Sequence, residues 1–98
     1  MTYTVHRLAE QDLAKIFRFY KKEAGSKVAL RFLDEFERIA ELLDANLGLG
    51  TPTNEDRRIF PFKVYRYYSL LYKPVEDGIR ILAVSHQRRG PNYGANRN

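Results

Sequence analysis

The sequence of 98 residues contains no cysteine, and its two histidines, His6 and His86, lie near opposite ends. Without cysteine, neither a disulfide nor a thiolate metal site can form, which fits a reducing compartment. Zinc and iron sites need several ligands that converge, and no carboxylate motif stands beside either histidine. We therefore expect no metal and no cofactor.

Long apolar runs are also missing. No stretch approaches the roughly 18 residues of a membrane span, and the segment Met1–Arg7 has no apolar signal core. These absences predict a cytoplasmic protein with no membrane partner.

Two common catalytic arrangements are absent as well. Ser85 and His86 are neighbours in a predicted strand, so their side chains point to opposite faces and cannot form an activating hydrogen bond. No glycine-rich phosphate loop follows a strand, so nucleotide chemistry has no support.

The residues that are present predict one folded domain. Hydrophobic residues make up 44% and aromatic residues 13% of the chain, enough to form a core. We expect a single domain over residues 1–98, with a flexible tail from about residue 94, where the sequence is polar.

The first half of the chain predicts a strand and two helices. Thr2–His6 alternates like a strand, and from Ala9 the period becomes helical until Gly25, a good helix stop. Ser26 is a plausible N-cap for a second helix. Along this helix, apolar residues recur mostly at intervals of three or four, as on one face of a helix. Its predicted apolar face comprises Ala29, Phe32, Leu33, Phe36, Ile39, Ala40 and Leu43. Its acidic residues are expected on the solvated face: Asp34, Glu35, Glu37 and Glu41.

The second half predicts three strands after a loop over residues 47–55. The strands are Arg57–Phe60, Tyr67–Tyr72 and Ile79–His86, with a hairpin turn at Pro74–Gly78. The order β-α-α-β-β-β predicts an α+β fold in which a helical hairpin packs on a small, mainly antiparallel sheet.

Positive charge is concentrated in the second half. Residues 1–55 carry eight Lys or Arg and nine Asp or Glu, whereas residues 56–98 carry nine and three, a local net charge of +6. A field of one sign attracts an oppositely charged partner, such as nucleic acid, a nucleoprotein or an acidic protein segment. The alternative is a basic surface that only confers solubility.

The densest polar cluster, residues 86–93, follows the predicted central strand. Its candidate target-binding residues are His86, Arg88, Arg89 and Tyr93, and Lys63 and Arg66 could extend the basic surface. Guanidinium, imidazole and phenol groups can contact phosphate and stack on bases. The alternative is a capped strand end with solvent-facing arginines. The tyrosines and phenylalanines of residues 60–72 are better explained as packing for the helical hairpin.

Three stretches together resemble the RelE/ParE toxins, most closely the ParE-like branch. They are Arg58–Phe62, Tyr68–Tyr72 and Ile81–Tyr93, the last containing a His-x-Arg-Arg pattern. The resemblance implies a toxin of a type II toxin–antitoxin system, bound in a complex by an antitoxin with an acidic, amphipathic C-terminal segment. The local charge of +6 gives such a segment a reason to bind. We assign Arg57, Arg58, Arg80 and Phe36 to antitoxin binding.

The resemblance leaves the target open, because ParE-like members inhibit DNA gyrase and RelE-like members cut mRNA on the ribosome. Arg89 and Tyr93, with His86, are the catalytic candidates for RNA cleavage. However, Ser69 stands where RelE-like enzymes usually hold a strand arginine, and their paired lysines are missing. This departure favours gyrase. A third possibility is an inactive homologue that retains only antitoxin binding.

Overall fold

The computed structural model describes residues 3–90 and 92–98, and its elements follow the expected order with one additional short strand. The elements are β1 (Thr4–Val5), α1 (Arg7–Ala24), α2 (Ser26–Ala45), β2 (Thr51–Pro52), β3 (Arg58–Pro61), β4 (Tyr68–Val75), β5 (Gly78–His86) and a 3-10 turn over Gln87–Arg89. The sheet order is β1-β5-β4-β3-β2, and only the β1–β5 pair among these strands is parallel. The predicted α+β fold is confirmed. Thr2 of the predicted first strand and Pro91 of the polar cluster lie outside the described residues.

The caps of the two helices differ from the prediction. Helix α1 begins at Arg7 because the Nδ1 atom of His6 accepts a hydrogen bond from the Leu8 amide at 3.0 Å. It stops at Gly25 as predicted, since this residue adopts φ 97°, a conformation that favours glycine. Gly25 also precedes α2, so Ser26 is the first helical residue and forms no side-chain cap. The predicted capping role of Ser26 was wrong.

Aromatic packing joins the helical hairpin to the sheet. The predicted apolar face of α2 is buried, with Leu33 only partly so. Phe32 stacks on Phe62 with ring centroids 5.2 Å apart and meets the edges of Tyr65 and Tyr68. Such contacts stabilise a core beyond the area that they bury. The packing interpretation is therefore confirmed for these rings.

Glu35 corrects one sequence expectation. Its side chain is buried instead of solvated, with 3% exposure. Its Oε2 atom accepts hydrogen bonds from the backbone amides of Lys63 at 2.7 Å and Val64 at 3.0 Å. Because the carboxylate satisfies two backbone donors, it anchors the loop between β3 and β4 to α2.

Strand β5 is buried on both faces, as its apolar run predicts. It carries an irregularity opposite β4: Leu71 pairs with Ala83 and Tyr72 pairs with Ile81, which leaves Leu82 unpaired. On the other side, the short β1 reaches only as far as Ile81. The rest of this edge of β5 therefore needs other hydrogen-bond partners.

Candidate functional site

A cleft opens between α1 and the C-terminal end of β5. It consists of two adjoining cavities of about 140 Å³ and about 520 Å³, which share Phe19, Tyr68, His86 and Arg89 in their walls. We call it the α1–β5 cleft. The smaller cavity is also lined by Asp12, Lys15, Ile16, Val84 and Tyr93, and the larger by Tyr20, Tyr67 and Arg88.

The cleft combines exposed aromatic rings with cations. Phe19 is 56% exposed and Tyr67 is 61% exposed. The Tyr67 ring lies nearly parallel to His86, with centroids 5.9 Å apart. Exposed aromatic surface beside Arg88 and Arg89 suits an amphipathic or nucleic-acid partner, because rings supply area and guanidinium groups bind anions.

His86 has a structural contact of its own. Its Nδ1 atom accepts a hydrogen bond from the Arg88 amide at 3.1 Å and so caps the 3-10 turn. The imidazole therefore holds the turn that carries Arg88 and Arg89 while its ring remains part of the cleft wall.

The two tyrosines of the larger cavity that are most buried are neutral at ordinary pH. Burial, followed by the neighbouring Tyr68, raises the pKa of Tyr20 to about 12. Burial likewise raises the pKa of Tyr68. Tyr20 and Tyr68 therefore offer neutral phenols alongside the cations of the cleft.

A buried carboxylate lies at the base of the smaller cavity. Asp12 is 7% exposed, and its Oδ1 atom accepts a hydrogen bond from the Tyr93 hydroxyl at 2.6 Å. Its Oδ2 atom accepts from Arg97 at 2.8 Å and from the Val84 amide at 3.1 Å. Arg97 also donates to the carbonyl of the unpaired Leu82. Asp12 and Arg97 therefore pair with two backbone groups of β5 beyond the end of β1, the Val84 amide and the Leu82 carbonyl.

Two guanidinium groups pack over the ring of Tyr93. The guanidinium carbons of Arg89 and Arg97 lie 4.8 Å and 4.7 Å from the centre of its ring. Burial alone would lower the pKa of Arg97, but its hydrogen bonds to Asp12 and Tyr93 outweigh burial and raise that pKa. Arg97 therefore stays charged, and its ion pair balances the Asp12 carboxylate inside the fold.

Sequence reasoning missed Asp12 and Arg97. Asp12 lies near the start of the predicted first helix, where acidic residues are favourable and ordinarily solvated, and Arg97 lies in the predicted flexible tail. One signal was present: Asp12 lies three residues after Ala9 and four before Ile16, both of which are buried. A polar residue on a buried helix face needs partners from elsewhere in the fold.

The predicted target-binding residues divide into two groups. His86, Arg88, Arg89 and Tyr93 converge on the α1–β5 cleft. Lys63 and Arg66 are exposed in the β3–β4 loop, and neither lines the cleft. Lys63 borders a different groove, between α2 and β3.

Two of the residues assigned to antitoxin binding are buried, which corrects their assignment. Phe36 is 5% exposed and meets the ring of Tyr3 edge-on, so it is a core residue without a surface for a partner. Arg57 is 7% exposed and donates hydrogen bonds to the carbonyl of Arg97 at 2.8 Å and the side chain of Asn98 at 3.0 Å. The Arg57 guanidinium therefore binds groups within the chain and is not available on a free surface.

The other two arginines are partly exposed but also have internal contacts. Arg58 donates to the carbonyl oxygens of Gly48 and Gly50, and Arg80 donates to the carbonyl of Asn98 at 3.0 Å. Residues 97 and 98 of the expected flexible tail are therefore tied to Arg57 and Arg80. These contacts give a physical reason to expect order at this end of the chain.

A second groove, of about 450 Å³, separates α2 from β3. It is lined by Arg38, Ile39, Leu42, Phe60, Pro61, Phe62 and Lys63. Leu42 is 42% exposed, and the two cations lie among apolar side chains. We call this the α2–β3 groove. An apolar floor with basic residues suits an amphipathic acidic segment.

The described residues form neither a metal cluster nor a membrane-spanning helix. Over residues 3–90 and 92–98, no group of three or more histidine and acidic side chains could hold a metal ion. In the same part of the chain, neither helix is long and apolar enough to cross a membrane.

Comparison with known proteins places the chain among toxins. The sequence model described as the ParE toxin of the type II toxin–antitoxin system parDE matches residues 3–91. A solved structure titled "Chromosomal ParDE TA system from P. aeruginosa" has 24% identity and a TM-score of 0.75, over 88% of this chain and 95% of that one. At this identity the likeness supports the fold. No curated protein matches the sequence.

Proposed function

The chain belongs to the ParE toxin family of type II toxin–antitoxin systems, and from this we propose that it inhibits DNA gyrase and is neutralised by a cognate antitoxin. The α1–β5 cleft is proposed as the surface that meets the target. The observation that carries this assignment is the convergence of Arg88, Arg89, His86 and exposed aromatic rings on one cleft.

Charge supports a target that contains DNA. The segment from residue 56 onward has a net charge of +6, and Arg88 and Arg89 project from its 3-10 turn. Gyrase works on DNA, whose phosphates give the enzyme–DNA complex a strongly negative surface. Basic side chains would speed the encounter and orient the toxin, while Phe19 and Tyr67 would supply apolar contact.

The geometry of Tyr93 supports binding over RNA cleavage. A tyrosine that protonates a leaving oxygen needs a hydroxyl free to reach it. The Tyr93 hydroxyl instead donates to the buried Asp12 carboxylate at 2.6 Å and accepts from Arg97 at 3.0 Å. Ser69, in the middle of the sheet between Pro61 and Ser85, also lacks the charge expected of a catalytic arginine.

The α2–β3 groove is proposed as a docking surface for the antitoxin. An acidic, amphipathic segment could place apolar side chains against Leu42 and Phe60 and carboxylates near Arg38 and Lys63. Such a segment can order on binding and cover a large area. In this proposal the groove takes the antitoxin-binding role that was assigned to Phe36 and Arg57, because both of these residues are buried.

Replacing Arg89 by alanine tests the target surface. We expect Arg89→Ala to lose roughly tenfold or more in gyrase inhibition, as for one charged contact at an interface. Antitoxin binding and the circular dichroism spectrum should not change. Arg31→Ala is the matched control, since Arg31 is an exposed arginine outside the cleft lining. An unfolded Arg89→Ala protein, or equal inhibition by both variants, would contradict the assignment.

A further inference from the structure

The three-residue cluster of Asp12, Tyr93 and Arg97 connects the interior of the fold to the rim of the cleft. Asp12 is held by α1, whereas Tyr93 and Arg97 belong to the segment after the 3-10 turn. The cluster contains a short ion pair, a 2.6 Å hydrogen bond from a phenol to a carboxylate and a further bond between Arg97 and the Tyr93 hydroxyl. All three side chains are mostly buried, so their geometry is fixed.

The cluster fixes the ring of Tyr93 in two ways. The hydroxyl is held by Asp12 and Arg97 at one end, and one face of the ring meets a guanidinium at 4.7 Å. A second guanidinium, that of Arg89, also packs against the ring, at 4.8 Å. Arg89 itself is exposed, and it has no ion pair among those formed by the described residues.

An exposed arginine ordinarily samples many rotamers and loses that freedom when it binds. The fixed Tyr93 ring gives the Arg89 guanidinium a preferred place at the cleft before any partner arrives. Preorganisation of this kind strengthens binding because less entropy is lost on association.

We infer that Asp12 is a positioning residue for the target surface: through Tyr93, it holds Arg89 in the orientation that contacts an anionic group of the target. The inference rests on the proposed function of the cleft. A merely structural role of Asp12 would affect inhibition independently of Arg89. In the inferred role, the effect of Asp12 on target inhibition requires Arg89.

The first test needs no target. In ¹⁵N relaxation measurements on the full chain, the Arg89 Nε–Hε group of the wild type should be more ordered than that of Arg88. In Asp12→Asn, Arg89 should become as mobile as Arg88. Asp44→Asn is the matched control, because Asp44 is also 7% exposed but lies on α2, away from Tyr93. Equal mobility of Arg89 in the wild type and in Asp12→Asn would overturn the inference.

The second test is a double-mutant cycle on inhibition. Asp12→Asn alone should weaken gyrase inhibition roughly tenfold, the size expected when one charged contact is lost. In the Arg89→Ala background, it should weaken inhibition no further, although it still lowers the melting temperature. Additive losses would overturn the inference and leave Asp12 purely structural.

The two tests separate this inference from the proposed function. If the wild type does not inhibit gyrase, the proposed target is wrong, and the relaxation measurement still decides whether Asp12 orders Arg89. Should Asp12→Asn fail to fold, Tyr93→Leu replaces it, because Arg97 and the Val84 amide still satisfy the Asp12 carboxylate. Tyr93→Leu should release Arg89 in the same way, and an Arg89 that stays ordered would contradict the inference.

Discussion

Replacing Glu35 by alanine should destabilise the fold far more than replacing its acidic neighbours on α2. The Glu35 carboxylate accepts two backbone hydrogen bonds, from Lys63 at 2.7 Å and Val64 at 3.0 Å. A hydrogen bond to a charged group contributes about 1.5–3 kcal/mol. Its ion pair with Arg38, at 3.8 Å with a guanidinium that is 66% exposed, adds little.

The expected cost is smaller than the sum of two such bonds. Lys63 and Val64 are themselves exposed, so water can replace part of what the carboxylate provides once it is removed. We therefore expect Glu35→Ala to lower the free energy of unfolding by about 2–3 kcal/mol. Glu37→Ala, on the exposed side of the same helix, should change it by less than about 0.5 kcal/mol.

Chemical denaturation with a linear extrapolation measures both free energies, and amide hydrogen exchange gives a local check. In Glu35→Ala, the amides of Lys63 and Val64 should exchange faster than in Glu37→Ala. Similar unfolding free energies for the two variants, with unchanged exchange at these amides, would refute the assignment of Glu35 as the anchor of the β3–β4 loop.

Two further predictions concern the core and the first helix. Phe36→Ala should lower the free energy of unfolding, measured by chemical denaturation, by about 3–5 kcal/mol, as for buried aromatic residues. A decrease below about 1 kcal/mol would mean that Phe36 is not in the core. His6 has its pKa lowered from 6.5, first by burial and then by Arg80 and other cations. Its stabilising cap is therefore present above pH 6.5 and lost as the pH falls through the lower folded-state pKa. In His6→Asn, which can still cap the Leu8 amide, this acid-dependent loss of melting temperature should disappear; an unchanged pH profile would show that His6 does not cause it.

The elements of the fold could be predicted because their signals are local. The helical spacing of α2 from Ala29 to Leu43 and the apolar run of β5 are properties of short windows, and each was confirmed. The short strand β2 was missed because two residues give no periodic pattern, and it forms only through pairing with Ile59 and Arg58.

Parts of the site could not be predicted because they depend on partners distant in sequence. Asp12 and Glu35 both occupy helices where acidic residues are ordinarily solvated. Their burial depends on the Val84 amide, 72 residues from Asp12, and the Lys63 amide, 28 residues from Glu35. The irregularity at the unpaired Leu82, whose carbonyl accepts from Arg97, also has no signature in the sequence.

The residues predicted to bind a target lie together in one cleft, whereas two of those assigned to the antitoxin are buried. His86, Arg88, Arg89 and Tyr93 are close in sequence, so any strand ending there brings them together. Phe36 and Arg57 were chosen from resemblance and charge, and neither property reveals burial. Whether His86, Arg88, Arg89 and Tyr93 contact a target stays a prediction.

The most direct test of the central claim adds the purified protein to DNA gyrase and, in parallel, to translating ribosomes with labelled mRNA. We predict lost supercoiling or accumulation of cleaved DNA, with intact mRNA, and relief of the effect by the antitoxin. Ribosome-dependent cleavage of mRNA with unaffected gyrase would contradict the account and would require Arg89 and its neighbours to be reassigned as catalytic residues.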